Sequence, residues 1–213
     1  MGKRVFIFDL DGVIVDSMPL HTESWLVYLK RLGVPSERLV ERMHGRRNDE
    51  IVRDLFGETL TADEVFEHGA AKERLYRELM APRLTSYLVP GVAAFLERYR
   101  GVPKGVASNA EQENIELVLE GAGLRHYFDA VVDGHQVARP KPDPEIYARA
   151  FGLLGAQPQE CIIFEDSPAG LAAARASGAR VVAVNTARLE LPDADLTVDD
   201  FLDPGLEPWL RAN

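Results

Sequence analysis

The stretch RVFIFDLDGVIVDS, residues 4–17, decides the fold. Val5, Phe6, Ile7 and Phe8 form an unbroken apolar run, as in a parallel strand that is covered on both faces. The run then meets Asp9 and Asp11, two carboxylates two positions apart, followed by Gly12, which permits a tight turn. In an open parallel sheet, ligands bind beyond the carboxyl ends of the strands, and this acid pair falls at such an end. With period two, both acids leave the same side of an extended chain. Two close carboxylates repel unless something neutralises them. A hard divalent cation does so, and Mg2+ takes oxygen ligands. The competing reading is that both acids merely cap the next segment.

Working outward, four more short apolar runs follow: KGVAS (104–108), DAVVD (129–133), CIIFE (161–165) and RVVAV (180–184). Helical patterns over 111–122, 144–154 and 167–177 separate them. Strand and helix in alternation predict an α/β fold with a doubly wound, Rossmann-like parallel sheet. Residues 17–87 break this rhythm and hold no strand pattern. Trp25, Tyr28, Leu29 and Leu32 follow i, i+3, i+4, i+7 spacing, so 18–32 reads as an amphipathic helix, with Gly33 as its stop. Further helical patterns cover 47–56 and 62–80. The organisation predicted is an α/β core of residues 1–16 and 88–213, interrupted by a helical insert at 17–87. Pro90-Gly91 marks the return to the core.

Composition narrows the function classes. The chain has 213 residues, 46% hydrophobic and 27% charged, an ordinary globular composition. A net charge of -10 argues against nucleic-acid binding through a basic surface. It leaves an anionic small substrate open, since a local site or a metal reverses the sign. Cys161 is the only cysteine, so no internal disulfide forms. No apolar run reaches membrane-spanning length, and the N-terminal run is too short for a signal peptide. The expectation is a cytoplasmic monomer with no membrane association.

Three further strand ends bear on the acids of the first. KGVAS ends in Ser108-Asn109, CIIFE runs into Glu165-Asp166, and Lys141 lies in ARPKPDPEIY, after the strand near 131. Taken singly, Ser108 reads as a helix N-cap, Lys141 as a solvated lysine, and Glu165 and Asp166 as loop acids. Taken together, all fall at carboxyl ends of parallel strands, where a single site forms. Two acid clusters, a lysine and a hydroxyl suit Mg2+ and a phosphate. Ser167-Pro168 reads as an N-cap with proline at the first helical position, a structural role.

At these residues the chain resembles the haloacid dehalogenase-like phosphotransferases. DLDGVIVDS, VASNA, RPKPDP and EDSPAG match the family's four motifs in order and span the core. The insert is similar to the four-helix cap of the subgroup with β-phosphoglucomutase and small sugar-phosphate phosphatases. The resemblance implies a mobile cap and a set of roles. Asp9 is the nucleophile and Asp11 the general acid and base. Ser108, Asn109 and Lys141 hold the phosphoryl group. Mg2+ is held by Asp9, Asp11 (through its main-chain carbonyl) and Asp166, with Glu165 beside it or ligating. In the cap, His21, Trp25 and Lys72 match substrate-facing positions of the mutase. Where the mutase places an arginine three residues after a glycine, this chain has Arg46 and Arg47 one and two after Gly45.

The function this implies is a Mg2+-dependent phosphatase of a small phosphorylated metabolite, a sugar phosphate, acting through an aspartyl phosphate. A β-phosphoglucomutase-type isomerase is the alternative, differing in whether water or a sugar hydroxyl takes the phosphoryl group. A dehalogenase fits less well, since that group lacks the second acid of DxD. A non-catalytic phospho-receiver also places aspartate, hydroxyl and lysine at strand ends, but is shorter and has no cap.

Overall fold

The computed structural model describes residues 4–39, 42 and 48–213. In chain order its α-helices and strands are β1 (Val5–Phe8), α1 (Met18–Leu32), α2 (Asn48–Phe56), α3 (Ala62–Met80), α4 (Leu84–Tyr87), α5 (Val92–Arg98), β2 (Lys104–Ala107), α6 (Gln112–Gly121), β3 (Ala130–Val132), α7 (Glu145–Leu154), β4 (Cys161–Glu165), α8 (Pro168–Ala176), β5 (Arg180–Val184), β6 (Leu196–Val198) and α9 (Leu206–Ala212). They form two compact units, Met1–Asp16 with Leu84–Asn213, and Ser17–Arg83. No helix among the described residues is long and apolar enough to cross a membrane.

The first unit is built on one sheet in the order β3-β2-β1-β4-β5-β6, with every neighbouring pair parallel. This is the doubly wound order, in which the chain reverses direction beside β1. Alternation along β1 and β4 serves two cores. Val5, Ile7, Cys161 and Ile163 join Tyr147, Ala150, Leu171 and Ala174 of α7 and α8 on one face. Phe6, Phe8 and Phe164 meet aromatic rings on the other. Phe8 stacks on Phe164 at 4.7 Å, Phe6 lies 5.6 Å from Phe95 of α5, and Phe164 lies 5.5 Å from Phe201. Each fully buried ring of this kind contributes about 1.5–3 kcal/mol, so both faces anchor the strand whose end carries Asp9.

The two connections to the helical unit run side by side. The amide of Asp16 donates to the Tyr87 carbonyl at 2.8 Å, and that of Val89 donates to the Ile14 carbonyl at 3.0 Å. Four short elements escape the sequence patterns, among them the four-residue α4. The edge strand β6 is only three residues long and pairs with β5 alone. Helices α5 and α9 have seven residues each, too short to display a full apolar period.

The helical unit is held by a separate core of Trp25, Leu29, Leu39, Ile51, Val52 and Val65. Helix α1 ends where Gly33 adopts φ 67° and its amide reaches back to the last turn, a conformation glycine enters at little cost. Leu32, placed on the apolar face by its spacing, is instead 47% exposed, because it lies in the last turn, beyond the buried Leu29. Helix α3 opens with a capping box. Thr61 Oγ1 accepts from the Glu64 amide, and the Thr61 amide donates to Glu64 Oε2 at 2.8 Å.

Candidate active site

Strand β1 delivers Asp9 to the carboxyl edge of the sheet. The Asp9 amide donates to the Phe164 carbonyl at 2.9 Å, which extends the pairing with β4 by one residue. Lys141 Nζ then donates to Asp9 Oδ1 at 2.8 Å, to Glu165 Oε1 at 2.5 Å and to the Ala107 carbonyl at 3.0 Å. An ammonium has three hydrogens, and all three have acceptors, drawn from the ends of β1, β4 and β2. The lysine loop is itself fastened. Glu145 accepts from the amides of Ala138 and Arg139, and Asn109 Oδ1 accepts from the Lys141 amide at 3.3 Å. The Lys141-Pro142 peptide is cis.

Glu165 is wholly buried and engaged at both oxygens. Oε1 accepts from Lys141 and from the Tyr147 hydroxyl at 2.5 Å, and Oε2 accepts from the Asp166 amide at 3.0 Å. A Cβ on Gly170 would fall on this carboxylate. Ser167 caps α8, its Oγ accepting from the Gly170 amide, with Pro168 beginning the helix. A Cβ on Gly12, where φ is 73°, would likewise fall on the Asp166 carboxylate, so glycine meets both a backbone and a steric demand here. Thr186, after β5, steadies this turn by donating to the Gly12 carbonyl at 3.0 Å.

Acids outnumber cations at this edge. Burial raises the Asp9 carboxyl to about 7, with Glu165 and Asp11 adding to the rise against the lowering effect of Lys141. Burial and the neighbouring Glu165, Asp9 and Asp11 also push Asp166 well above the carboxylate range. Burial alone would lower Lys141, but Asp9 and Glu165 outweigh it and raise it. Oxygens of Asp9, Glu165 and Asp166 all lie within 4.8 Å of one another. A cluster of hard oxygen donors carrying excess negative charge fits a divalent cation such as Mg2+.

Of the residues singled out in the sequence, Asp9, Lys141, Glu165 and Asp166 come together, with Ser108 and Asn109 beside them at the end of β2. Two expectations need correction. Asp9 and Asp11 do not lie on one extended strand. The strand ends at Phe8, and the chain turns as the Ile14 and Val15 amides both bind the Leu10 carbonyl. Asp11, expected to hold the metal through its main-chain carbonyl, is near enough for its charge to raise both Asp9 and Asp166. Ser108 is not the N-cap of α6. That helix begins at Gln112 after Glu111, and Ser108 Oγ accepts from the Ala110 amide at 3.2 Å.

The helical unit holds a polar cluster of its own. His21 Nδ1 lies 2.6 Å from Lys72 Nζ, and the His21 ring stacks on Tyr76 at 3.9 Å. Lys72 also donates to Glu73 at 2.8 Å, and Asn48 donates to the same Glu73 oxygen at 2.5 Å. Trp25 is fully buried, with Lys72 Nζ 5.7 Å from its ring centre and no acceptor for its Nε1 among the described residues. Trp25 thus packs the core of this unit. Arg46 and Arg47 lie outside the described residues. Sequence reasoning missed Tyr147, Glu73, Asn48 and Thr186. None carried a signal: Tyr147, six residues after Lys141, reads as one more apolar position of α7.

Comparison with known proteins fixes the class. The model of the haloacid dehalogenase-like hydrolase family matches residues 3–178. The chain is 30% identical to beta-phosphoglucomutase of Bacillus subtilis over 210 residues, 96% of this chain and 92% of that one. It is 31% identical to a fructose-1-phosphate phosphatase of Escherichia coli over 181 residues, 84% of this chain and 94% of that one. The crystal structure of beta-phosphoglucomutase from Clostridium difficile matches with a TM-score of 0.84 at 25% identity, covering 99% of this chain and 96% of that one. The chain belongs to the haloacid dehalogenase-like hydrolases and is an enzyme of that family.

Proposed function

We propose that this enzyme is a Mg2+-dependent phosphatase of a small sugar phosphate that works through a phosphorylated Asp9. The observation that carries the reading is the fixed Asp9 carboxylate, held by Lys141 within a cluster of acids at the carboxyl edge of a parallel sheet. In the first step an Asp9 oxygen attacks phosphorus and the bond from phosphorus to the sugar oxygen breaks. Asp11 donates the proton to that leaving oxygen. In the second step Asp11 takes a proton from water, the water oxygen bonds to phosphorus, and the phosphorus–Asp9 bond breaks to free phosphate.

Ser108 and Asn109 orient the phosphoryl oxygens, and Lys141 balances their charge as a fixed point cation. Mg2+, held by Asp9, Asp166 and the main-chain carbonyl of Asp11 with Glu165 alongside, would lower the repulsion between carboxylate and phosphate. Substrate choice falls to the helical unit, with His21, Lys72, Arg46 and Arg47 as its candidates.

The whole-chain likeness to the mutase structure supports a second reading, in which a sugar hydroxyl receives the phosphoryl group. One feature favours water. The position three after Gly45 is Asn48, and its side chain is spent on Glu73, so the cation that the mutase places there for a second phosphate is replaced by a neutral amide. Incubation with a β-hexose 1-phosphate and its bisphosphate separates the two. Free phosphate as the main product is expected, and dominant 6-phosphate would favour the mutase.

A further inference from the structure

We propose that Tyr147 is a positioning residue for the Lys141 cation. This rests on the phosphotransfer reading of the site. Tyr147 lies in the first turn of α7, is wholly buried, and meets Lys141 in two ways. Its hydroxyl donates to Glu165 Oε1, the oxygen that also accepts from Lys141 Nζ. Its ring face lies under the ammonium, with Nζ 5.0 Å from the ring centre, within the range of cation–π attraction.

The shared oxygen gives the hydroxyl its leverage. Lys141 is drawn by Asp9 on one side and by Glu165 on the other. Charge on Glu165 Oε1 is divided between two donors, so the tyrosine weakens the hold of Glu165 on the ammonium. Without the hydroxyl, Oε1 has Lys141 as its sole side-chain donor among the described residues, and the ammonium is pulled toward β4 and away from Asp9. A phenylalanine would preserve the ring, the packing and the cation–π contact while deleting only that donor. The effect falls on the step in which Asp9 and the phosphoryl group carry developing charge, so kcat suffers more than KM.

The test uses Tyr147→Phe in the full-length protein, with p-nitrophenyl phosphate and Mg2+ as the assay. The expected result is a fall in kcat of about 10-fold, in line with lost transition-state positioning, with KM changed less than about twofold and a cooperative thermal transition retained. In the crystal structure of the variant, Lys141 Nζ should have left hydrogen-bond distance of Asp9 Oδ1. Tyr147→Leu, which deletes ring and hydroxyl, should lose more kcat than Tyr147→Phe. A Tyr147→Phe enzyme with unchanged kcat, or with Lys141 still on Asp9, overturns the proposal. If the wild-type enzyme turns over no phosphate ester, the phosphatase reading fails, and the Lys141–Asp9 distance in the variant still decides the positioning role by itself.

Discussion

Lys141 and Lys72, a buried lysine from each unit, show how differently the two regions are organised. Lys141 is 8% exposed and Lys72 is 2% exposed, and burying an unpaired ammonium is costly. Both are therefore paired, but with partners of different origin. Lys141 takes its acceptors from β1, β2 and β4, which lie 132, 34 and 24 residues away in sequence. Lys72 takes a carboxylate from Glu73, its immediate neighbour on α3, and a further contact from His21 on α1. The first lysine ties a sheet edge together at one point. The second polarises a local patch between helices. A cation fixed by three strand ends suits chemistry that demands one geometry, whereas a cation fixed within a helix pair can be altered without disturbing the strands.

That difference is tested first at the nucleophile. Asp9→Asn keeps the shape of the side chain but removes the attacking carboxylate, so turnover should fall by more than about 100-fold. Circular dichroism should show the fold unchanged. Next comes the metal. Chelation should abolish turnover and added Mg2+ restore it, while Asp166→Ala should raise the Mg2+ concentration needed for half-maximal rate. Full activity after exhaustive chelation would remove the acid cluster from the chemistry.

The lysines themselves give the contrast its sharpest form. Lys141→Met strands Glu165 in the interior and should destabilise the protein by about 3–5 kcal/mol, the usual cost of breaking a buried pair, along with most of the activity. His21→Ala, which strips one contact from Lys72, should change turnover by only about tenfold or less, or shift product partition, and leave the α/β unit intact. Equal losses in both variants, in denaturant unfolding and in rate, would erase the distinction.

The two regions also differed in how far the sequence revealed them. Parallel strands buried on both faces leave continuous apolar runs, so β1, β4 and β5 could be read with little error, and the groups at their ends followed. Lys141, Glu165 and Asp166 were legible because short motifs place them at strand ends, where topology does the rest. The turn at Leu10 was not, since it depends on two amides folding back to one carbonyl. Nor were the partners of Lys72. Glu73, Asn48 and Tyr76 sit on helices whose packing angles decide which polar groups meet, and helical periodicity records only the apolar face. Tyr147 was hidden in the same way, as one more apolar position of an amphipathic helix until its hydroxyl is seen on Glu165.

The smallest expected effect lies at the start of α3. Thr61→Ala removes the side-chain half of the capping box and should cost about 1 kcal/mol, visible as a lowered thermal midpoint with activity retained. Glu64 sits below the ordinary carboxylate value of 4.5 because the Thr61 amide and hydroxyl bond it. A lowered acid stabilises the fold above its unfolded value, and that contribution is lost as pH falls through the folded value. Wild type should therefore lose this increment below pH 4.5, and Thr61→Ala should lose less of it over the same window.

The most direct test of the account is to trap the intermediate. The enzyme is mixed with substrate and Mg2+, quenched in acid within one turnover, and digested for mass spectrometry, with a borohydride-reduced sample in parallel. A phosphoryl group is expected on the peptide that begins the sheet, with reduction converting residue 9 to homoserine. A phosphoryl group on Asp11 or Asp166, or phosphate release in a full turnover with Asp9 never labelled, would contradict it.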